Sequence, residues 1–231
     1  MLSHMSRTEP SRMGFVLAGG KSSRMGGPGN DKAFLEFRGQ TLLDRALAVM
    51  GTVCDRVAIV GDPAKFAKYG SSKRGSMKSG SPKSGSSKSE STKYESVVAD
   101  IFPGCGPLAG IHAALVHSSA EFNLMLAVDM PFVSRELLAF LFAAAEESGA
   151  VVTVPRSGKG LQPLSAVYRR DFFLVAEQAL RAGKYKIDAV FSSVSVRVIE
   201  ESELTAAGFS EKSFFNVNTP QDRLAAEGRV F

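Results

Sequence analysis

An apolar run that leads directly into paired glycines constrains this chain more than any other feature of its sequence. The segment Phe15–Gly27 reads FVLAGGKSSRMGG, and it opens with the composition of a buried strand. Gly19 and Gly20 allow the backbone to approach an anion closely, and a turn of this kind leaves amide groups free to face it. Lys21 and Arg24 add positive charge. The segment therefore predicts a strand followed by a phosphate-binding loop, with a purely structural glycine turn as the alternative.

Two common phosphate-binding motifs do not match this loop. Gly20, Lys21 and Ser22 imitate the end of a Walker A loop, but the first glycine of that motif would fall at Phe15. The pattern GxGxxG is not matched either. Neither motif therefore assigns the loop, and a glycine turn after a strand is by itself more often structural than functional.

Short β-rich runs alternate with helical periodicity along the chain, which predicts an α/β domain with a mostly parallel sheet and helices on both faces. The predicted strands are residues 14–17, 56–60, 96–99, 123–128, 151–154, 164–168, 195–199 and 214–217. The predicted helices are residues 42–50, 108–117, 135–147, 172–182 and 220–227. In such sheets ligands bind outside the carboxyl ends of the strands.

The net charge of +5 is concentrated in one segment. Residues 71–93 hold six lysine or arginine side chains and one glutamate, so the rest of the 231-residue chain is formally neutral. The segment has no aromatic or β-branched aliphatic residue, which predicts a flexible, exposed insertion, with an electrostatic tether for an acidic partner as the alternative. Because it has no aromatic residues for base stacking, no nucleic-acid partner is expected.

The sequence predicts an intracellular, cytoplasmic protein without a membrane partner. No run of about 18 apolar residues is present, and residues 1–12 are expected to form a disordered tail before a single domain at residues 13–231. Cys54 and Cys105 are too few for a disulfide scaffold, so both are interpreted as packing residues.

Three charged residues are placed to act on a phosphate. Lys32 follows the glycine loop and could reach a triphosphate, although a solvated surface lysine is equally consistent with this position. Asp129 follows a buried apolar run in LMLAVDMPF, where a carboxylate suits Mg²⁺, with a turn aspartate as the alternative. Asp100 ends another strand, before a Gly- and Pro-rich loop that either a ligand or a tight turn explains.

Two asparagines near the C-terminus form a candidate ligand contact. Asn216 and Asn218 are two residues apart on a stretch expected to be extended, so both amides should point to one face and Val217 to the other. Thr219 and Pro220 already have a structural explanation as N-cap and first residue of a helix.

These motifs, in this order, resemble the molybdenum cofactor guanylyltransferases, which are molybdopterin-guanine dinucleotide synthases. The resemblance covers nearly the whole chain. The segments that match the family are LAGGKSSRMG followed by Asp31 and Lys32, GCGPLAG at 104–110, DMP at 129–131, QPL at 162–164 and NVNTP at 216–220.

The resemblance implies a Rossmann-like nucleotidyltransferase fold and transfer of GMP from GTP to the phosphate of molybdopterin, with release of pyrophosphate. It implies a nucleotide site formed by Leu17, Ala18, Gly19, Gly20, Lys32, Asp100 and Asp129. Catalysis would depend on Arg24, Lys32 and Asp129, with Mg²⁺ as cofactor bound by Asp129, while Asn216 and Asn218 would face the pterin or the metal. Transient contact with molybdoenzymes or their chaperones is a further expectation.

The chain departs from the family pattern in two places. The link GGPGN before Asp31 is slightly longer than usual, and segment 71–93 is not a family feature.

Two other functions are alternatives to the guanylyltransferase. One is a nucleotidyltransferase that uses CTP on molybdopterin or another phosphorylated molecule, although relatives of that kind typically read LAAG where this chain has Gly19 and Gly20. The other is a non-catalytic nucleotide-binding adaptor.

Overall fold

A central eight-stranded sheet organises the computed structural model, which describes residues 11–19, 31–66, 94–158, 160–218 and 220–228. A separate two-stranded hairpin lies beside it. The described strands are β1 (Arg12–Leu17), β2 (Glu36–Phe37), β3 (Gln40–Thr41), β4 (Arg56–Val60), β5 (Val97–Val98), β6 (Phe122–Ala127), β7 (Val152–Ser157), β8 (Gly160–Leu161), β9 (Ser165–Arg169) and β10 (Val196–Ile199).

The order of the strands is β10-β7-β9-β6-β1-β4-β5, with β8 paired to β7. Strand β1 pairs in parallel with β4 on one side and with β6 on the other. The chain first builds the sheet outward from β1 through β4 to β5, and then returns to add β6 on the opposite side of β1. In doubly wound sheets ligands bind beyond the strand ends at such a reversal, which here lies between β1 and β6.

Helices cover both faces of the sheet. They are α1 (Leu42–Met50), α2 (Pro107–His117), α3 (Arg135–Ser148), α4 (Phe172–Arg181), α5 (Ile187–Phe191), α6 (Glu201–Ala206) and α7 (Pro220–Gly228), with 3-10 turns at Lys32–Phe34 and Glu211–Phe214. Residues 63–66 are also helical.

Alternate side chains of the strands supply two separate cores. On β1, Val16 packs into the core that contains α1 and α3, while Phe15 packs into the core that contains α2, α4 and α5. Both side chains are fully buried because successive residues of a strand point to opposite faces. The predicted α/β class, with a mostly parallel sheet and helices on both faces, is therefore confirmed.

The structure corrects two details of the predicted fold and adds the direction of one strand. Residues 214–217 do not form a strand: Phe214 ends a 3-10 turn, and the following extended stretch bonds to the rest of the fold through the Val217 amide, which donates to the Asp129 carbonyl at 2.8 Å. Arg12, predicted to lie in a disordered tail, begins β1, and its guanidinium pairs with Glu146 at 2.6 Å. Strand β9 is antiparallel to both of its neighbours in the sheet.

Part of the predicted organisation lies outside the described residues, namely residues 1–10 and the segment 71–93. Phe66 and Tyr94 are the described residues on either side of residues 67–93. They lie close together, since the Tyr94 hydroxyl donates to the Phe66 carbonyl at 3.4 Å. Across the described part of the chain, no helix is both long and apolar enough to cross a membrane.

Two leucines on helices provide a matched test of the core. Leu141 of α3 is fully buried, whereas Leu174 of α4 is 59% exposed. We expect Leu141→Ala to lower the free energy of unfolding by about 2–5 kcal/mol, because it leaves a cavity that the packed helix cannot close. Leu174→Ala should change it by less than about 0.5 kcal/mol. Chemical denaturation measures both, and equal effects would contradict the assignment of this core.

Candidate active site

The carboxyl end of β1 lies at this reversal of strand order. Backbone hydrogen bonds fix it on both sides, since the Ala18 amide donates to the Val60 carbonyl at 2.9 Å and the Val128 amide donates to the Leu17 carbonyl at 3.2 Å. Gly19 follows and is exposed. A Cβ added at Gly19 would come no closer than 3.8 Å to the described atoms around it, so packing among the described residues does not require glycine there.

Lys32 and Asp129 meet beside this strand end, although 97 positions separate them in the sequence. The Lys32 ammonium lies 3.5 Å from Asp129 Oδ2 and donates to Asn218 Oδ1 at 2.5 Å. Asn216 Nδ2 donates to Asp129 Oδ1 at 3.3 Å. The side chains of Lys32 and Asp129 are only 23% and 15% exposed. One cation, one carboxylate and two amides therefore form a single cluster.

Residues 216–218 contribute two side chains to this cluster, because successive side chains of this extended stretch point in opposite directions. Asn216 and Asn218 both face it, while Val217 between them is buried in the core. The predicted placement of the two amides on one face is therefore correct, even though the segment is not a strand.

The electrostatics of the cluster centre on Asp129. Burial raises the pKa of its carboxyl above the ordinary value of 3.8, and the Lys32 ammonium and the Asn216 amide oppose that rise only in part. Burial therefore outweighs these favourable contacts of the carboxylate. Carboxylate oxygens are the ligands through which Mg²⁺ commonly binds, together with substrate phosphates. The described residues contain no cluster of three or more His, Cys, Asp or Glu side chains suited to a metal.

Asp100 lies on the other side of β1 from this cluster. It follows β5, which β1 and β4 separate from β6, and its Oδ1 would stand 3.7 Å from a Cβ added at Gly110 of α2. Asp100 is exposed, yet partial desolvation raises the pKa of its carboxyl. The structure therefore does not bring Asp100 and Asp129 into contact. An extended ligand that reached both would lie across the end of β1.

Glycines in the loop after Asp100 have a structural role of their own. Gly104 and Gly106 have φ values of 80° and 76°, in the left-handed region that favours glycine. Gly110 lies inside α2, where an added Cβ would stand 3.5 Å from Val60 and 3.7 Å from Asp100 Oδ1. Their backbone angles therefore explain Gly104 and Gly106 without a ligand, whereas an added Cβ at Gly110 would make only ordinary van der Waals contacts.

The QPL segment also has a structural role in the described part of the chain. Gln162 Nε2 donates to Ser157 Oγ at 2.8 Å and to the Gly160 carbonyl at 3.2 Å, across the turn between β7 and β8. The Pro163 carbonyl accepts from the buried Tyr168 hydroxyl at 2.8 Å. These bonds fix the turn and its connection to β9.

Two predicted site residues and one unpredicted pair complete the description. Gly20 and Arg24 lie outside the described residues, so their roles stay predictions. The unpredicted pair is Asp31 and Lys65, whose side chains form an ion pair next to Lys32. A motif identified Asp31, but nothing in the sequence pointed to Lys65 as its partner.

The reversal between β1 and β6, the glycine-bearing end of β1 and the Lys32–Asp129 cluster are the features expected of a Rossmann-like nucleotidyltransferase, and comparison with known proteins shows that the chain is one. Residues 14–198 match the family described as the MobA-like NTP transferase domain, and the chain belongs to that family.

Similar proteins cover nearly the whole chain. It is 37% identical to the probable molybdenum cofactor guanylyltransferase of Pelotomaculum thermopropionicum, over 92% of this chain and 90% of that protein. It is 33% identical to the molybdenum cofactor guanylyltransferase of Desulfosudis oleivorans, over 94% and 95%. The solved structure of molybdopterin-guanine dinucleotide biosynthesis protein A from Archaeoglobus fulgidus superposes with a TM-score of 0.72 at 27% identity, over 93% and 96%. The resemblance in sequence motifs and the enzyme class are confirmed.

The burial of Asp129 predicts how stability depends on pH. Because its pKa is raised in the folded state, the carboxyl holds its proton more tightly folded than unfolded. Ionisation of the Asp129 carboxyl therefore lowers the free energy of unfolding as pH rises from the ordinary pKa of 3.8 through the raised pKa of the folded state. Without ligands, we expect Asp129→Asn to gain stability relative to the wild type across this window. Chemical denaturation of both proteins from about pH 4 to about pH 7 measures the difference in their free energies of unfolding. A variant whose stability falls relative to that of the wild type as pH rises would contradict the expectation.

Proposed function

We propose that this enzyme transfers GMP from GTP to molybdopterin, forming the molybdopterin guanine dinucleotide and releasing pyrophosphate. The observation that carries the proposal is the meeting of Lys32 and Asp129 at the end of β6, beside the glycine-bearing end of β1. A cation and a carboxylate at this point suit a triphosphate and its metal ion. The names of the two relatives at 33% and 37% identity support GTP and molybdopterin as the substrates.

The proposed reaction is a direct in-line displacement at the α-phosphorus. An oxygen of the acceptor phosphate forms a bond to that phosphorus as the bond to the bridging oxygen breaks, and pyrophosphate leaves with the electron pair. Positioning and charge stabilisation are then the main contributions of the protein. Lys32 stabilises negative charge on the phosphoryl oxygens, with Arg24 as a second positive charge.

Mg²⁺ is the proposed cofactor, and Asp129 is the residue that would hold it. Its partly buried carboxylate offers oxygen ligands of the kind that a hard cation prefers. When bound, Mg²⁺ would supply charge neutralisation for the phosphate oxygens. Lys32 contributes through its contact with Asp129 Oδ2, which at 3.5 Å is a long one.

The remaining site residues have proposed roles on either side of the reacting phosphate. Leu17, Ala18, Gly19 and Gly20 contact the nucleotide through the backbone, and Asp100 contacts its far end. Asn216 and Asn218 face the pterin or the metal, which their contacts with Asp129 and Lys32 support.

The wider setting is also proposed. Residues 13–231 form a single domain in which residues 71–93 are an insertion between β4 and β5, and the short distance between Phe66 and Tyr94 supports this arrangement. The site of action is the cytoplasm, with transient contact to molybdoenzymes or their chaperones.

The function is tested by incubating the protein with molybdopterin, Mg²⁺ and either GTP or CTP. We expect pyrophosphate and the guanine dinucleotide with GTP, and at least tenfold less pyrophosphate with CTP, because the relatives named above are guanylyltransferases. Pyrophosphate is measured by a coupled assay and the dinucleotide by mass spectrometry. A preference for CTP would assign the chain to a different member of this class, and the absence of any transfer would contradict an enzymatic role.

Two substitutions separate binding from chemistry. Asp129→Ala should abolish metal-dependent turnover, and Lys32→Ala should lower kcat by about 10²-fold or more with a smaller change in KM for GTP, because its charge acts on the transferring group. Steady-state kinetics measure both. Asp188→Ala, at an exposed aspartate of α5, is the matched control and should behave as the wild type. Wild-type turnover in Asp129→Ala would contradict the assignment, and a Lys32→Ala effect confined to KM would indicate a binding role alone.

A further inference from the structure

The ammonium of Lys32 is directed toward Asp129, but other residues hold its backbone in place. Lys32 opens the 3-10 turn Lys32–Phe34, and Asp31 is the N-cap of that turn. Asp31 Oδ1 accepts from the Ala33 amide at 3.0 Å, and the Asp31 carbonyl accepts from the Phe34 amide at 2.9 Å. Ala33 is fully buried, so the turn is tied to the core immediately after Lys32.

The second carboxylate oxygen of Asp31 has its own partner. Asp31 Oδ2 forms an ion pair with the Lys65 ammonium, and the two side chains are 26% and 25% exposed. This partial burial shields the pair from water more than an exposed surface pair. The same ammonium lies 5.6 Å from the ring centre of Phe34 and 4.9 Å from that of Phe66. Both distances are within the range of cation–π attraction.

Lys65 belongs to a segment that is itself fixed. Residues 63–66 are helical after the end of β4, where Asp62 Oδ1 accepts from the Ala64 amide at 2.9 Å. Phe66 is fully buried, and its ring centre lies 5.8 Å from that of Phe34. Lys65 therefore connects the end of β4 to the turn that begins with Lys32.

The two ends of Lys32 are thus held from opposite sides of β1. Its ammonium contacts Asp129 and Asn218 on the β6 side, and its backbone is held through Asp31 by Lys65 on the β4 side. A small shift of a group that stabilises the transferring phosphoryl lowers the rate strongly, about 10²-fold for 1 Å.

We propose that Lys65, acting through the carboxylate of Asp31, is a positioning residue that sets the place of Lys32 relative to the reacting phosphate. Lys65 does not itself contact the nucleotide in this proposal. The inference rests on the proposed function for its kinetic consequence, whereas the contact between Lys65 and the turn is independent of it.

The test uses Lys65→Met, which removes the charge but keeps an apolar chain against Phe34 and Phe66. We expect kcat to fall at least tenfold while KM for GTP changes less than threefold. Lys65→Arg should restore kcat to within threefold of the wild type, because a guanidinium can also pair with Asp31. Lys186→Met, at an exposed lysine before α5, is the matched control and should leave both constants unchanged.

A double substitution shows whether Lys65 acts through Lys32. If it does, adding Lys65→Met to Lys32→Ala should change kcat less than twofold, because the group being positioned is already absent. A further large loss, or wild-type kcat in Lys65→Met alone, would overturn the proposal.

Hydrogen exchange separates this proposal from the proposed function, since it needs no substrate. Exchange of the Ala33 and Phe34 amides should be at least tenfold faster in Lys65→Met than in the wild type, while amides of β6 stay unchanged. Unchanged exchange at Ala33 and Phe34 would overturn the positioning role. Failure of the wild type to use GTP and molybdopterin would instead overturn the proposed function and leave the exchange result standing.

Discussion

A buried carboxylate is the constraint around which the site is arranged. Asp129 lies at the end of a fully buried strand, where water reaches only 15% of its side chain. The charged form is therefore unfavourable there unless positive groups and hydrogen-bond donors surround it. Lys32 arrives from the segment after β1 and Asn216 from the far end of the chain, and each supplies part of what the carboxylate lacks. These contacts offset part of the cost of burying the charge, and the raised pKa of the carboxyl shows that desolvation still outweighs them.

The elements that could be predicted are those whose residues bury a periodic face. Strand β4 and helix α1 begin and end at the predicted residues, because their apolar spacing and flanking turns act locally. Asp129 and Lys32 are also candidates from the sequence alone, since Asp129 follows a buried apolar run and Lys32 follows the glycine loop. Their contact was not derivable from spacing alone, because the order of the strands brings β1 and β6 together.

The features that could not be predicted depend on distant partners. The side chains of residues 216–218 alternate as expected, but the segment pairs with none of the described strands, and its Val217 amide donates to the Asp129 carbonyl instead. Lys65 has the sequence surroundings of an ordinary surface lysine, and only the approach of β4 to the turn at Asp31 gives it a role. For Gly104 and Gly106 the sequence suggests a ligand contact, but the structure gives another explanation. Their positive φ angles favour glycine without any ligand.

The contact of Asn216, Val217 and Asn218 with Asp129 and Lys32 has a consequence for the synthesis of the protein. The ribosome makes Lys32 and Asp129 before the groups that join them, because residues 216–218 follow the last described strand, β10. A nascent chain that has completed the described sheet therefore still lacks two amides and one backbone bond of the cluster. The contacts around Lys32 and Asp129 can be completed only after every strand of that sheet has been synthesised.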